Sequence, residues 1–338
     1  MPTFHAYAAD EAKGEFKPFE YDPGDLRPDQ VELEVASCGV CHSDMSMLDN
    51  EWGMSQYPFV GGHEVIGTIA AVGDNVPELK EGQRVGLGWF SRSCTHCVQC
   101  LKGAHNRCEN GEQTIVGRHG GFADRVRCNW VWATPIPDGF QPETVQKLGP
   151  MFCGGITAFT PFVQHGIDCR SRVGVIGIGG LGHLALQFAD KMGCEVAAFS
   201  TTPDKEQEAR DMGADLFINA KDSDAMKKHT GHFDLIINTT AAKLPWGQYV
   251  EALAPGGTLH SVGVAQDFGL DNSFPLIGGQ KSLSGSPLGS PSVTREMLDF
   301  CARNDIAPVT ETFEFSQIND AFEKLRNGSP RYRIVLKH

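Results

Sequence analysis

Residues 172–185, Arg-Val-Gly-Val-Ile-Gly-Ile-Gly-Gly-Leu-Gly-His-Leu-Ala, lead an apolar strand into a glycine turn and out along a helix with an apolar face. Glycines at 177, 179 and 182 make the pattern G-x-G-x-x-G, which is weak evidence by itself. Here it sits between a strand and a helix, with a second apolar strand at 195–200, and that context commits the segment to a parallel β-α-β unit. The glycines allow a tight turn and a close backbone approach, and the N-terminus of the following helix offers N–H groups to a pyrophosphate. Gly177, Ile178, Gly179, Gly180, Leu181 and Gly182 are therefore the expected cradle of a dinucleotide.

The flanking sequence extends the unit. Helical patterns at 148–162, 181–192, 205–212 and 246–253 alternate with strand patterns at 172–176, 195–200, 216–218, 235–238 and 258–262. Such alternation predicts an open, doubly wound parallel sheet. The first ~145 residues read differently. Short β-like runs at 31–36, 65–72, 84–89 and 125–133 are broken by Gly and Pro, as in an irregular β-barrel. Beyond residue 290 come one helix, another near 318–326 and a last strand at 333–336, a tail expected to return to the first domain. The fold class is thus α/β, with a β-rich domain from 1–147 and 285–338 around a nucleotide-binding domain from 148–284.

The end of the second strand selects the cofactor. A carboxylate there would bind a ribose 2′-hydroxyl. Ser200, Thr201 and Thr202, followed by Lys205, instead offer hydroxyls and an ammonium to a 2′-phosphate, which favours NADP(H). Asp204 is close by and is read as a helix N-cap; the same residues also fit a loop without a ligand. A net charge of −13 opposes attraction to nucleic acid or to anionic membrane and leaves a small molecule as the expected partner. With no apolar run of membrane-spanning length and no signal-peptide pattern, a cytoplasmic location is expected.

Six of the eleven cysteines fall into metal-ligand patterns. Cys94, Cys97, Cys100 and Cys108 place four thiolates within fifteen residues, and zinc in structural sites takes four such ligands in a closed tetrahedron. Their loop has little apolar content, so an ion would supply much of its folding energy. His96 is a competing donor inside it. Cys41, His63 and Cys153, widely separated, offer a three-ligand set that leaves one zinc position open for water or substrate. Glu64 is placed to fill that position at rest and to leave it when substrate binds. Cys38, Cys128, Cys169, Cys194 and Cys301 read as ordinary small residues.

Taken together, CGVCHSD (38–44), GHEVIGTIAAVG (62–73), the four-cysteine loop (94–108), CGGIT (153–157) and GIGGLGH (177–183) resemble, over essentially the whole chain, the zinc-dependent medium-chain alcohol dehydrogenases. The resemblance is to their cinnamyl-alcohol-dehydrogenase-like, NADP(H)-dependent aldehyde reductase branch. It implies a GroES-like catalytic domain built from both chain ends, an inserted Rossmann domain, and a homodimer or homotetramer often assembled through the Rossmann sheet edge. Cys41, His63 and Cys153 would hold a catalytic zinc with Glu64 as exchangeable ligand, and Asp44 would orient His63. Thr157, Thr239, Gly263, Ser286 and Leu288 match positions that touch the nicotinamide half, and His42 one near the pyrophosphate.

The implied reaction moves a hydride between NADP(H) and an aldehyde or primary alcohol, with Ser43 as proton conduit. Where many relatives continue that relay to a histidine, this chain has Ser46; either Ser46 passes the proton to water or the relay is shorter. Trp52, Tyr57, Trp89 and Phe90 are candidates for an aromatic substrate pocket, and they fit a β-core equally well. Three alternatives stay open: NAD-dependent alcohol or polyol oxidation, a zinc-independent quinone reductase of the same fold, and a non-catalytic NADPH-binding zinc protein.

Overall fold

The computed structural model describes residues 3–328 and 330–338. It divides into two compact units, one formed by residues 1–153 with 290–338 and the other by 154–289.

In the first unit, the strand Gln30–Val40 is the hub of a seven-stranded sheet. It pairs antiparallel with Val65–Val72, Arg125–Asn129 and, from the chain's far end, Arg333–Lys337. Its apolar residues Val31, Leu33, Val35 and Val40 are buried in a core shared with Ile69, Phe122 and Leu336. Register shifts at Glu32/Leu33 and Val35/Ser37 mark the bulges that let so long a strand bend. Residues 84–89 prove not to be one strand. Arg84–Leu87 ends where Gly88 lies against the Phe152 carbonyl, and Phe90–Arg92 starts a separate pairing with Glu112–Gln113. Likewise 125–133 is a strand to Asn129 and then a short turn, which the Asn129 side chain caps by accepting from Val131 N–H. The hairpin Phe4–Ala8 with Lys17–Tyr21 had no clear pattern in the sequence.

The second unit is a six-stranded, all-parallel sheet. Its spatial order is Leu216–Asn219, Glu195–Ser200, Arg172–Ile176, Phe233–Asn238, Leu253–Ser261 and Ser282–Gly285. The inner strands are nearly continuous apolar runs, as burial on both faces demands. The edge strand Ser282–Gly285 is half exposed and Ser-rich, which is why its pattern was silent.

The helix expected at 148–162 is also revised. A tight turn covers Gly149–Phe152, Cys153 has non-helical dihedrals (φ −126°, ψ −77°), and the helix proper is Gly154–Gln164. The turn docks on the first unit: a Cβ on Gly149 would lie 2.3 Å from the Glu64 carbonyl oxygen. That close approach carries the first unit to Cys153, past the expected cut at 147/148, and the second junction likewise lies beyond 284/285.

Candidate active site

Asp44 organises the candidate metal centre. It sits in the first turn of the short helix His42–Leu48, whose N-cap is Cys41. One carboxylate oxygen accepts from the Cys41 backbone N–H at 2.9 Å. The other accepts from Gly62 N–H at 2.8 Å and lies 3.0 Å from Nδ1 of His63. A buried carboxylate so placed fixes the tautomer: Nδ1–H donates to Asp44, and the lone pair on Nε2 points the other way. That Nε2 is buried and has no hydrogen-bond partner, and the same holds for Oε2 of Glu64. Two buried polar atoms without partners are costly unless something binds them.

The ligand atoms of Cys41, His63, Glu64 and Cys153 all lie within 4.8 Å of one another, and all four residues are buried. The two sulfurs are 3.9 Å apart. A tetrahedron with zinc–sulfur bonds of about 2.3 Å sets its sulfurs about 3.8 Å apart, so the cluster fits the ion. The Cys41 thiol is held well below the ordinary thiol range, first because the Cys153 thiol donates to it and further by the nearby Arg333 and His63. Cys41 is thus biased toward thiolate, while its hydrogen bond to Cys41, and then burial, push the Cys153 thiol well above the ordinary range.

Glu64 has a partner that sequence reasoning missed. Its Oε1 accepts a hydrogen bond from the buried guanidinium of Arg333. Burial pushes the Glu64 carboxyl up to about 7, against the pull of that guanidinium. Gly39 makes the space: a Cβ there would lie 2.0 Å from Glu64 Oε2. The available signal was an arginine opening an otherwise apolar strand, Arg-Ile-Val-Leu at 333–336.

Around this cluster, Trp89 packs edge-on against the His63 ring at 5.0 Å, and Trp52 packs on Trp89 at 5.9 Å. The other two aromatic candidates stand elsewhere: Tyr57 donates to the Leu48 carbonyl, and Phe90 lies on Trp132 in the core. His42 is exposed, Ser43 half-buried and Ser46 buried.

The four-cysteine loop also closes on itself, with its ligand atoms within 4.8 Å of one another. Cys94 and Cys100 sulfurs are 3.9 Å apart, and the Cys97 and Cys94 N–H groups donate to Cys94 and Cys108 sulfurs at 3.3 Å. Backbone donors, the His96 N–H first, draw Cys94 down to about 6, whereas burial raises Cys100 to about 12. His96 is not in the group, so the four cysteines by themselves could supply a closed set of ligands.

In the second unit the glycine loop has the expected form. Gly177 has φ +87°, and a Cβ on Gly182 would lie 1.9 Å from the Gly177 carbonyl, so helix and strand approach too closely for any other residue. A Cβ on Gly179 would meet nothing within 4 Å; it points into open space of the kind a phosphate needs. Two carbonyls of the loop are gripped: Ile178 by Lys205 Nζ at 2.6 Å, and Gly179 by His183 Nδ1 at 3.0 Å. Thr239 donates to the Ile176 and Gly177 carbonyls. A Cβ on Gly263 would strike the Thr240 carbonyl at 2.3 Å, which keeps the next loop close by. Thr157 is buried on the helix Gly154–Gln164, and Ser286 and Leu288 follow the edge strand.

Ser200 ends the second strand, buried, with its Oγ accepting from Thr202 N–H at 3.1 Å; Thr201 and Thr202 are exposed. The reading of Asp204 as a helix N-cap is corrected. It lies inside the turn Pro203–Lys205, the following helix is capped by Lys205, and no side chain caps either element, because Pro203 starts a tighter turn first.

A cluster of metal-ligand side chains in a GroES-like unit, and a glycine-loop parallel sheet in the other unit, define one class of protein, and comparison agrees. The chain belongs to the zinc-binding, GroES-like alcohol dehydrogenase family: the alcohol dehydrogenase GroES-like domain matches residues 27–138 and the zinc-binding dehydrogenase domain residues 180–303. Aldehyde reductase AdhA of a Synechocystis species is 50% identical over 334 residues, 98% of each chain. Among solved structures, cinnamyl alcohol dehydrogenase SbCAD4 of Sorghum bicolor is 31% identical with TM-score 0.92, covering 99% of this chain and 98% of that one. The Helicobacter pylori CAD complexed with NADP(H) is 27% identical with TM-score 0.88, over 99% and 98%.

Proposed function

We propose that the protein is an NADP(H)-dependent aldehyde reductase acting on apolar aldehydes of medium or larger size, a cytoplasmic homodimer with one catalytic and one structural zinc per chain. The observation that carries the reading is the buried Cys41, His63, Glu64 and Cys153 cluster, whose two unpartnered polar atoms need a cation. Ser200, where a carboxylate would select NAD, supports NADP(H), as does the relative solved with NADP(H). The naming of the 50% identical relative as an aldehyde reductase supports the direction. Eleven free cysteines suit a reducing compartment.

When bound, zinc supplies Lewis-acid polarisation of the aldehyde oxygen and NADPH supplies the hydride. Cys41, Cys153 and His63 hold the ion, and Asp44 keeps the His63 lone pair directed at it. Glu64 would offer its unpartnered Oε2 to the ion, and Arg333, which holds Oε1, would keep a cation beside the carboxylate if it were released. Ser43, two residues from Cys41 and half-buried, delivers the proton to the product oxygen. Ser46 is buried about one turn further along the helix, so the proton that Ser43 gives up would be replaced from water by a route that does not pass through Ser46. Trp89 and Trp52 give the cluster an apolar wall that receives the aldehyde's carbon chain and excludes water.

The test is a panel of aldehydes and alcohols assayed with NADPH and with NADH, beside elemental analysis. Two zincs per chain, loss of activity on chelation with recovery on adding zinc, and preference for NADPH are expected. Ser200→Asp should shift the kcat/KM ratio toward NADH. One zinc with full activity would sink the two-site account, and an unmoved cofactor ratio would show that Ser200 does not read the phosphate.

A further inference from the structure

A buried polar cluster that takes no part in the chemistry above lies at one side of the parallel sheet. His260, on the strand Leu253–Ser261, has no exposure and stands opposite Ser284 of the edge strand. Its Nδ1 is 2.8 Å from Ser284 Oγ and 3.0 Å from Nε2 of His165, the residue that follows the helix Gly154–Gln164. Ser284 Oγ closes the triangle at 3.2 Å from His165 Nε2. The other nitrogen of His260 is 3.0 Å from Ser286 Oγ. Burial, and then His165, lower His260 to about 4, so its ring is neutral near neutral pH, one nitrogen donating and the other accepting. One ring thus ties together the end of a helix, the edge strand and the segment leaving that strand.

The segment beyond Ser286 is constrained as well. Leu288 has φ +45°, a left-handed conformation that a residue with a branched side chain adopts only when its surroundings hold it there. Gly289 packs so closely on the same helix that a Cβ would lie 2.6 Å from Ile156 and 2.7 Å from Thr160.

Strand order says what this segment faces. In an open parallel sheet, a dinucleotide lies across the carboxyl ends of the strands at the switch point. Its pyrophosphate belongs on the loop that leaves Arg172–Ile176, and its adenosine end at Ser200 on the neighbouring strand. The other half must then extend the opposite way, over the ends of Phe233–Asn238, Leu253–Ser261 and finally Ser282–Gly285. That last end runs straight into Ser286.

We propose that His260 is a positioning residue which, with His165 and Ser284, holds the Ser286–Gly289 segment as a rigid wall for the nicotinamide half of the cofactor. The proposal rests on the NADP(H) reading above.

Binding of NADPH and of 2′,5′-ADP, which carries the phosphorylated adenosine half alone, is measured by calorimetry on the zinc-loaded full chain. His260→Leu should weaken NADPH roughly tenfold, the scale of a lost buried hydrogen bond, and leave 2′,5′-ADP within about twofold. His260→Gln should recover part of the loss. Amide exchange over 285–289 should quicken in the leucine variant. Ser286→Ala removes only one hydroxyl and carries the same split if His260→Leu does not fold. Parallel losses of both ligands, or no loss of either in Ser286→Ala and His260→Leu, would overturn the proposal. A wild-type protein that binds no 2′,5′-ADP would overturn the cofactor reading and this proposal with it.

Discussion

Asp44 accepts three hydrogen bonds inside the protein, two from backbone N–H groups and one from His63. Asp44→Asn keeps the shape but turns one acceptor into a donor facing N–H groups, so it should lower catalytic-zinc affinity by about 10–100-fold, as loss of such orienting partners does. A competition titration with a chelator reads this directly, and unchanged affinity would show that His63 needs no orientation. Lys205 has an equally specific consequence. Because its ammonium grips the Ile178 carbonyl, Lys205→Met should weaken NADH as well as NADPH, each roughly tenfold. Weakening of NADPH alone would reduce Lys205 to a reader of the 2′-phosphate. At this scale residue type and spacing picked out Cys41, His63 and Cys153 as one group, and the fold does bring their ligand atoms together. Arg333 and Gly39 were not legible. Their roles exist only because folding brings them against Glu64, 269 and 25 positions away along the chain respectively.

Among elements, the four-cysteine loop is the one most dependent on its ion. The loop has only short helical turns at Val98–Leu101 and His105–Arg107, and Val98 and Leu101 are largely exposed, so packing gives it little support. Cys94→Ser should bring the zinc content to about one per chain, lower the Tm and open the loop to proteolysis, while turnover per remaining catalytic zinc persists. An intact, protease-resistant loop without its zinc would refute this. Element types were well read where apolar periodicity is strong, as in 172–176, 195–200 and 318–326. Boundaries failed where tertiary contacts cut an element short. Gly88 on Phe152 and Gly149 on Glu64 are both approaches that only the folded chain defines. The strand Ser282–Gly285 went unseen because it is short, Ser-rich and half exposed, so its residues have no apolar pattern to display.

At the scale of the molecule, the outer side of the strand Ser282–Gly285 has no partner within the described residues. Phe274, Ile277 and Val264 of the same unit are 73–83% exposed. An open strand edge on a unit that also exposes large apolar side chains is a hazard unless a second copy covers it. Sedimentation should therefore find a dimer at micromolar concentration and a monomer for Ile277→Asp. A monomeric wild type would remove the dimer from the account.

The Glu64–Arg333 pair also imposes a timetable. Arg333 opens the strand that pairs with Gln30–Val40, so the first unit's sheet lacks that strand until the far end of the chain has been made. The two residues are 269 positions apart, and at a synthesis rate of roughly 5–20 residues per second about 13–54 s pass between them. During that interval the carboxylate has no guanidinium to meet it and the Gln30–Val40 strand has an open side. The Glu64–Arg333 contact can therefore form only after translation has passed the inserted parallel-sheet unit.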